Sequence, residues 1–150
     1  MSEITTVGVD LAKEVIVVCA SNAAGAVVLR KQLSFSAFAV WAANSPPCVI
    51  GMEACSTAHH WVRVLASLGH SPKLMAAEVV APFRMSRAAK NDHNDAEAIL
   101  VAVQQPTMRF VSPKSIEQQA MLSWHRARAG FLQERKSLLN RTRGLLAEFG

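Results

Sequence analysis

Three short runs rich in β-branched residues lie close together near the start of the chain, and the connections between them are too short for a helix. The runs cover residues 5–10, 14–20 and 26–32, and a turn-forming segment at 21–25 separates the second from the third. Consecutive strands with tight connections pair as an antiparallel meander. The chain is therefore predicted to fold around a β-sheet whose first three strands are antiparallel.

After residue 33 the sequence alternates between helical and strand patterns. Helices are predicted to end before Pro46 and at Gly69, and buried strands are predicted over residues 48–53 and 73–76. Because strands joined by a helical crossover run parallel, the order β-β-β-α-β-α-β predicts an α/β fold with a mixed sheet. The candidate helix caps are Ser34 or Ser36 for the first helix and Ser56 or Thr57 for the second.

From residue 77 onward the sequence is mainly helical. A modest helix interrupted near Pro82 is predicted over residues 78–87 and a second helix over 95–103, followed by an extended segment over 108–111. Residues 115–149 contain no proline, which predicts a helix roughly 50 Å long. Glycines within this helix weaken it, so we expect it to pair with a second helix. Its apolar seam, at seven-residue spacing, is formed by Trp124, Phe131, Leu138 and Leu145, with Leu132, Leu139 and Leu146 beside them.

The positive charge of the chain is concentrated in this last segment. Residues 1–108 contain eight basic and eight acidic residues, whereas residues 109–150 contain eight basic and three acidic residues, which accounts for the whole net charge of +5. A basic extension on a neutral globule suggests an anionic partner such as nucleic acid, and the alternative is a solvated helix face. The candidate nucleic-acid contacts are Lys13 and, on faces opposite the apolar seam, Arg126, Arg128, Arg135, Lys136, Arg141 and Arg143.

Several classes of protein are disfavoured by the remaining composition. The chain has no apolar stretch of the roughly 18–20 residues that a membrane span needs. It also lacks the basic and apolar regions of a secretory signal at its start. Three cysteines without a Cys-x-x-Cys pair argue against a disulfide framework or a zinc ribbon, and they indicate reduced thiols in the cytosol.

Acidic residues end two of the predicted core strands. Asp10 closes the first strand and Glu53 closes the fourth, although an Asp at a strand end can also be a simple turn former. If these strands are neighbours, both carboxylates emerge at the same edge of the sheet, where open α/β sheets place their sites. Two carboxylates at a half-buried edge repel each other, and Mg²⁺ or Mn²⁺, which prefer oxygen ligands, would remove that cost.

Two further acids follow in the polar segment before the next helix. Asp92 and Asp95 are three residues apart and lie on one face if the segment is helical. The alternative is helix capping, because Asn94 and Glu97 have the spacing of a capping box. Four acids at two strand ends and one helix start are the set that a two-metal phosphodiester site needs. Three basic residues precede the two acids in the chain: Arg84, Arg87 and Lys90. They either contact a backbone phosphate of the substrate or form a solvated helix end.

The sequence around these acids resembles the DEDD-type insertion-sequence transposases, the recombinase group whose members are guided by a bridge RNA. The motifs are Val-Gly-Val-Asp10-Leu-Ala-Lys, Gly-Met-Glu53-Ala-Cys and Asn-Asp92-His-Asn-Asp95-Ala-Glu-Ala. The likeness continues through residues 105–115 to the final Arg-Gly-Leu-Leu-Ala-Glu-Phe-Gly150, so it covers nearly the whole chain.

The resemblance implies a fold, a site and partners. Residues 1–110 are expected to form a RuvC-like domain of the ribonuclease H-like fold, with five strands in the order 3-2-1-4-5, and residues 111–150 a long basic linker and oligomerisation helix. By the same resemblance, the tetrad that performs catalysis and binds Mg²⁺ or Mn²⁺ is Asp10, Glu53, Asp92 and Asp95. The implied partners are DNA, a guide (bridge) RNA and further copies of the chain in a dimer or tetramer, in the bacterial cytoplasm and without a membrane. A second domain with a nucleophilic Ser, known in family members, is not among these 150 residues.

Two other functions compete with a metal-dependent catalytic domain. The first is a nucleic-acid-binding and oligomerisation module whose acids are structural. The second is half of a sugar-kinase-like or actin-like ATPase, which also has an acid at the end of its first strand. That ATPase needs glycines after the acid so that nucleotide phosphates can approach the backbone, and Asp10 is followed instead by Leu-Ala-Lys.

Overall fold

A computed structural model describes residues 3–12, 14–84 and 92–150, and for Asp92 and His93 it describes only the backbone. The chain divides into two units, Met1–Pro113 and Lys114–Gly150. The predicted contacts Lys13, Arg87 and Lys90 lie outside the described residues.

The strands are β1 (Ile4–Leu11), β2 (Ile16–Asn22), β3 (Val27–Leu33), β4 (Val49–Glu53) and β5 (Ser71–Met75). The helices are α1 (Phe35–Ala43), α2 (Ala58–Ser67), α3 (Ala77–Val80), α4 (Asp92–Val103) and α5 (Ile116–Ala147), with a 3₁₀ turn at Ala81–Phe83.

The first unit is built on one five-stranded sheet in the order β3-β2-β1-β4-β5. β2 pairs antiparallel with both β1 and β3, whereas β4 pairs parallel with both β1 and β5. The antiparallel half follows from the short connections, and the parallel half follows from the helical crossovers through α1 and α2. The predicted mixed sheet and its strand order, that of a ribonuclease H-like fold, are confirmed.

Each face of the sheet buries a different set of side chains, because successive residues of a strand point to opposite faces. Val7 and Val9 of β1 pack with Phe38 of α1 and Leu65 of α2 on one face. On the other face Val17 and Cys19 of β2 pack against Ala96 and Leu100 of α4. The unit therefore has three layers, with α4 alone covering the centre of the second face across β1, β2 and β4.

Two glycines allow α4 to lie very close to the sheet. Gly8 of β1 and Gly51 of β4 are register partners, so they form a glycine pair beneath α4. A Cβ atom on Gly8 would lie 2.3 Å from the carbonyl oxygen of Ala96, and one on Gly51 would lie 2.8 Å from Cβ of Val103. Both distances are shorter than real contacts, so only glycine fits at either position. The glycine pair fixes how near the helix approaches the strands.

The connection between β5 and α4 contains the modest helix that was predicted with an interruption near Pro82. α3 ends at Val80, and the chain continues as the 3₁₀ turn Ala81–Phe83 before Arg84 adopts an extended backbone conformation, with φ −74° and ψ 115°. Pro82 has no N–H group to donate to the carbonyl of Glu78, so the α-helical hydrogen bonds cannot continue. The predicted interruption near Pro82 is therefore confirmed, and residues 85–87 of the predicted helix lie outside the described residues.

The two predicted N-caps of the first unit have different outcomes. The Ser34 hydroxyl accepts a hydrogen bond from the backbone N–H of Ala37, as expected for a helix cap. Thr57 occupies the N-cap position of α2, but its side chain makes no capping hydrogen bond. Instead its hydroxyl lies 3.7 Å from Sγ of Cys55. Capping of α2 by the Thr57 side chain is thus not observed.

The second unit is the single helix α5, preceded by a capping box in which Ser115 and Gln118 exchange side-chain and backbone hydrogen bonds. None of its residues, all of which the structure describes, is buried. The seam side chains Trp124 and Phe131 are 77% and 70% exposed. Arg128 and Arg135 line one shallow groove with these two aromatic residues, so their predicted place opposite the seam is wrong. Residues spaced by four lie on one helix face, which explains the correction.

No helix in the described part of the chain is long and apolar enough to cross a membrane.

Candidate active site

Asp10 and Glu53 are neighbours at the carboxyl edge of the sheet. The last register pair between β1 and β4 is Val9 with Met52, and the two acids are the next residue on each strand. Strand alternation places both acids on the same face as the glycine pair, two residues away from it, which is the face that α4 covers. The structure therefore brings these two predicted site residues together.

Asp95 reaches the same edge from α4. The adjacent residue Ala96 lies directly over Gly8, two residues before Asp10 on β1. α4 begins at Asp92, so Asn94 and Asp95 lie inside the helix and the capping-box interpretation of this segment is wrong. Asp92 stands one turn before Asp95, and its side chain lies outside the described residues.

Arg84 joins Glu53 to Asp95. Its Nη2 atom donates to Oε2 of Glu53 at 2.5 Å, and its Nε atom donates to Oδ1 of Asp95 at 2.9 Å. The side chains of Arg84, Glu53 and Asp95 are 36%, 26% and 21% exposed. The guanidinium group thus compensates two carboxylates that come from different elements. The sequence indicated a phosphate contact or a solvated helix end for Arg84. The two ion pairs do not match a solvated helix end, and the phosphate contact stays a prediction.

The donor atoms gathered here are carboxylate oxygens, the ligands that Mg²⁺ and Mn²⁺ prefer. Asp10, Glu53 and Asp95 are the described side chains that could hold such an ion, and the helical backbone at Asp92 puts a fourth acid on the same face as Asp95. Among the described side chains, no group of three or more His, Cys, Asp and Glu residues is already arranged around an ion position. Arg84 already occupies one oxygen of each of two of these carboxylates, Oε2 of Glu53 and Oδ1 of Asp95.

Two features of the site were not predicted from the sequence. Arg84 is 31 residues from Glu53 and 11 from Asp95, and no regular spacing connects them. The glycine pair did leave a signal, since Gly8-Val9-Asp10 and Gly51-Met52-Glu53 repeat the same Gly-x-acid spacing at the ends of two strands. Read as close helix contacts, these glycines would have placed α4 over both acids.

A buried histidine forms a second polar cluster on the opposite face of the sheet. Nδ1 of His70 accepts the backbone N–H of Cys48 at 3.3 Å, and Nε2 lies 2.9 Å from the carbonyl oxygen of Ala42. These contacts tie the end of α1 and the start of β4 to the start of β5. The cluster has a structural role, and sequence analysis did not identify it.

Comparisons with known proteins place the chain in a family. The model of the IS110-type DEDD family, described as "Transposase", matches residues 7–150. A Pseudomonas aeruginosa protein named "Probable family 20 transposase" is 43% identical over 98% of this chain and 43% of its own length. The transposase for insertion sequence element IS1328 of Yersinia enterocolitica is 39% identical over 100% of this chain and 44% of its own length.

A third relative is the transposase for insertion sequence element IS1111A of Coxiella burnetii, 35% identical over 100% of this chain and 41% of its own length. The chain spans about two fifths of the length of the curated relatives it matches. A family match over nearly all of the chain agrees with the sheet order and with the three acids at its carboxyl edge. The chain belongs to the DEDD transposase family of insertion sequences.

Proposed function

We propose that residues 1–110 are the catalytic domain of a transposase that performs phosphodiester chemistry on DNA with Mg²⁺ or Mn²⁺. The metal ligands in this proposal are the DEDD tetrad, Asp10, Glu53, Asp92 and Asp95. The observation that carries it is the meeting of Asp10, Glu53 and Asp95 on one face at one edge of the sheet. The relatives are more than twice as long as this chain, so whole-protein recombination is proposed to need residues outside these 150, including the expected Ser-bearing domain.

The chemistry of a divalent cation at these carboxylates would be to activate an attacking oxygen and to stabilise the leaving oxygen of a phosphodiester. The chain's own contribution is placement. Asp10 and Glu53 stand on strands whose preceding residues, Val9 and Met52, are fully buried, so the acids have little freedom to move apart. The partial exposure of Glu53 and Asp95 leaves the edge open to a DNA strand.

The alternative is a nucleic-acid-binding and oligomerisation module whose acids are structural. One observation favours it: Arg84 already compensates Glu53 and Asp95, so these acids do not need a cation for stability. In such a module the three side chains would form a partly exposed ion-pair network of modest energy.

A cation titration separates the two functions. We expect Mn²⁺ or Mg²⁺ to raise the Tm of the chain, because a ligand that binds only the folded state stabilises it. At a concentration 100-fold above Kd the stabilisation is about 2.7 kcal/mol, which corresponds to a rise of about 5–10 °C for a chain of this size. Asp10→Asn and Glu53→Gln should each abolish most of this rise, measured by differential scanning calorimetry.

Glu97→Gln is the matched control for these variants. Glu97 lies on the same helix as Asp95, but its carboxylate pairs with Arg30 of β3 at 2.7 Å. The substitution removes one negative charge from α4 and leaves the tetrad intact. The rise in Tm with cation should therefore equal that of the unsubstituted chain. No response at millimolar cation, or an equal response in all three variants, would instead favour the structural module.

We also propose that α5 provides contacts to DNA, to a guide (bridge) RNA and to a second copy of the chain in a dimer or tetramer. The support for nucleic acid is the concentration of the whole +5 net charge in residues 109–150. The support for self-association is the exposed seam, where side chains such as Phe131 and Leu138 are 70% and 59% exposed. A long helix with so much exposed apolar surface gains stability by packing against another helix.

A further inference from the structure

We propose that Arg84 is a built-in counter-ion that holds Glu53 and Asp95 in place before a divalent cation binds, and that leaves them when the cation arrives. Arg84 is then a positioning residue that competes with the cation for the same oxygens. This inference rests on the proposed metal-dependent function and adds a residue outside the DEDD tetrad to it.

The first support is the geometry of the two ion pairs. One guanidinium group uses Nη2 for Glu53 and Nε for Asp95, at 2.5 and 2.9 Å. The two acids come from β4 and α4, so Arg84 links a strand end to a helix across the carboxyl edge of the sheet. Without a cation between them, two carboxylates brought to the same edge of the sheet repel each other. Arg84 offsets this repulsion.

The second support is that the backbone of Arg84 is held while its side chain is free to turn. The N–H of Arg84 donates to the carbonyl of Ala81 at 3.2 Å, and Val80, just before the 3₁₀ turn, is fully buried. The 3₁₀ turn packs against α4. The side chain, in contrast, is 36% exposed and can rotate into water without opening the core.

The third support is that the two cations exclude each other. A divalent ion among these acids would use the carboxylate oxygens to which Arg84 now donates, and it would repel the guanidinium group at short range. Binding of the ion therefore requires the loss of both ion pairs. The affinity of the chain for the ion is lowered by whatever those pairs contribute.

The competition predicts tighter cation binding when Arg84 loses its charge. Two partly exposed ion pairs together correspond to a change in Kd of about threefold to tenfold. We expect Arg84→Gln to lower the Kd for Mn²⁺ by that factor, measured by isothermal titration calorimetry on the full chain. The Tm without cation should fall in the same variant, because Glu53 and Asp95 then repel each other.

Arg30→Gln is the matched control. Arg30 donates to Glu97 of α4 at 2.7 Å, so this variant removes the same charge and an ion pair of the same type from the same helix. Its Kd for Mn²⁺ should stay within twofold of that of the unsubstituted chain. Arg84→Lys keeps the charge but cannot bridge two acids in a fixed fork, and we expect an intermediate Kd. This variant also provides a test if Arg84→Gln does not fold.

The outcomes separate the inference from the function on which it rests. The proposed metal-dependent function itself fails if the unsubstituted chain does not bind Mn²⁺, or if Asp10→Asn binds Mn²⁺ as well as the unsubstituted chain does. If the unsubstituted chain binds Mn²⁺ and Arg84→Gln binds it equally or more weakly, only the role of Arg84 is overturned. The competition is supported if Mn²⁺ binds more tightly to Arg84→Gln but not to Arg30→Gln. An equal fall in Kd in both variants would indicate a general effect of charge and would contradict the competition.

Discussion

The three cysteines of the chain have different surroundings, and burial determines their reactivity. Cys19 and Cys48 are buried on opposite faces of the sheet, whereas Cys55 is partly exposed just after β4. Burial raises the pKa of the Cys48 thiol to about 11. Burial also raises the pKa of Cys19, although the nearby charge of Arg30 opposes the shift. Thiolate is the reactive form, so both buried thiols should be inert near neutral pH.

Thiol labelling tests this difference at residue scale. At pH 8 we expect one fast-reacting thiol per folded chain with a disulfide reagent such as dithiobisnitrobenzoate, and three in guanidinium chloride. Cys55→Ser should remove the fast phase. Fast labelling that persists in this variant would mean that a buried thiol is accessible.

Cys48 also connects stability to pH. The folded chain holds the thiol proton more tightly than the unfolded chain, whose pKa is 9.0 against about 11 when folded. Stability is therefore unaffected by this group below about pH 9 and falls as pH rises from 9 to 11, by at most about 1.4 kcal/mol per pH unit. Urea unfolding at pH 8 and pH 10.5 should show the loss in the unsubstituted chain and a smaller one in Cys48→Ala.

At the same scale, the sequence located some site residues better than others. Asp10 and Glu53 could be predicted because a strand that ends in an acid has a definite place in a parallel pair. The ion pairs of Arg84 could not be predicted, since its position depends on where the 3₁₀ turn Ala81–Phe83 directs the chain. Asp95 could be assigned to a helix, but only the observed helix start excluded the capping-box interpretation.

Among the elements, α4 brings Asp95 to the site, and the glycine pair allows α4 to lie close enough to the sheet for this. We expect Gly8→Ala to destabilise the first unit by about 3 kcal/mol, because the added methyl group meets backbone atoms of Ala96 and Leu100 that cannot move aside alone. Chemical denaturation monitored by tryptophan fluorescence measures the change. Gly130→Ala in α5 meets nothing within 4 Å and should not destabilise the chain. Unchanged stability in Gly8→Ala would contradict the close packing.

The order of the elements was the most predictable part of the structure. Connection lengths distinguish hairpins from crossovers, so the directions of the strands followed from the sequence. The strand order 3-2-1-4-5 was implied by the family resemblance. Helix ends were predicted less well, because they depend on single groups. α3 ended at the interruption expected near Pro82, whereas α4 began three residues before its predicted start.

For the whole molecule, the separation of charge between the two units should decide how nucleic acid binds. Arg126 and Arg141 do not line the shallow groove that Trp124 and Phe131 form on α5, so they are suited to phosphate contacts. If both contact phosphates, replacing them with Ala should reduce the slope of log K against log salt by about 2 for duplex DNA. Fluorescence anisotropy at several salt concentrations measures the slope.

Lys31→Ala, an exposed charge on β3, is the control for this measurement and should leave the slope unchanged. Light scattering should give the same molar mass for all variants, because the substituted residues lie outside the apolar seam. An unchanged slope in the double variant would remove these two arginines from the proposed nucleic-acid interface. A lower molar mass would instead attribute weaker binding to dissociation of copies.

The glycine pair beneath α4 fixes the register between β1 and β4. A slip of β4 by one residue would bring Ile50 or Met52, in place of Gly51, under Val103, where α4 leaves no space for a larger side chain. A sheet in which β4 is shifted by one residue therefore cannot pack against α4. Asp10 and Glu53 are consequently aligned with each other by a steric constraint that acts two residues before each of them.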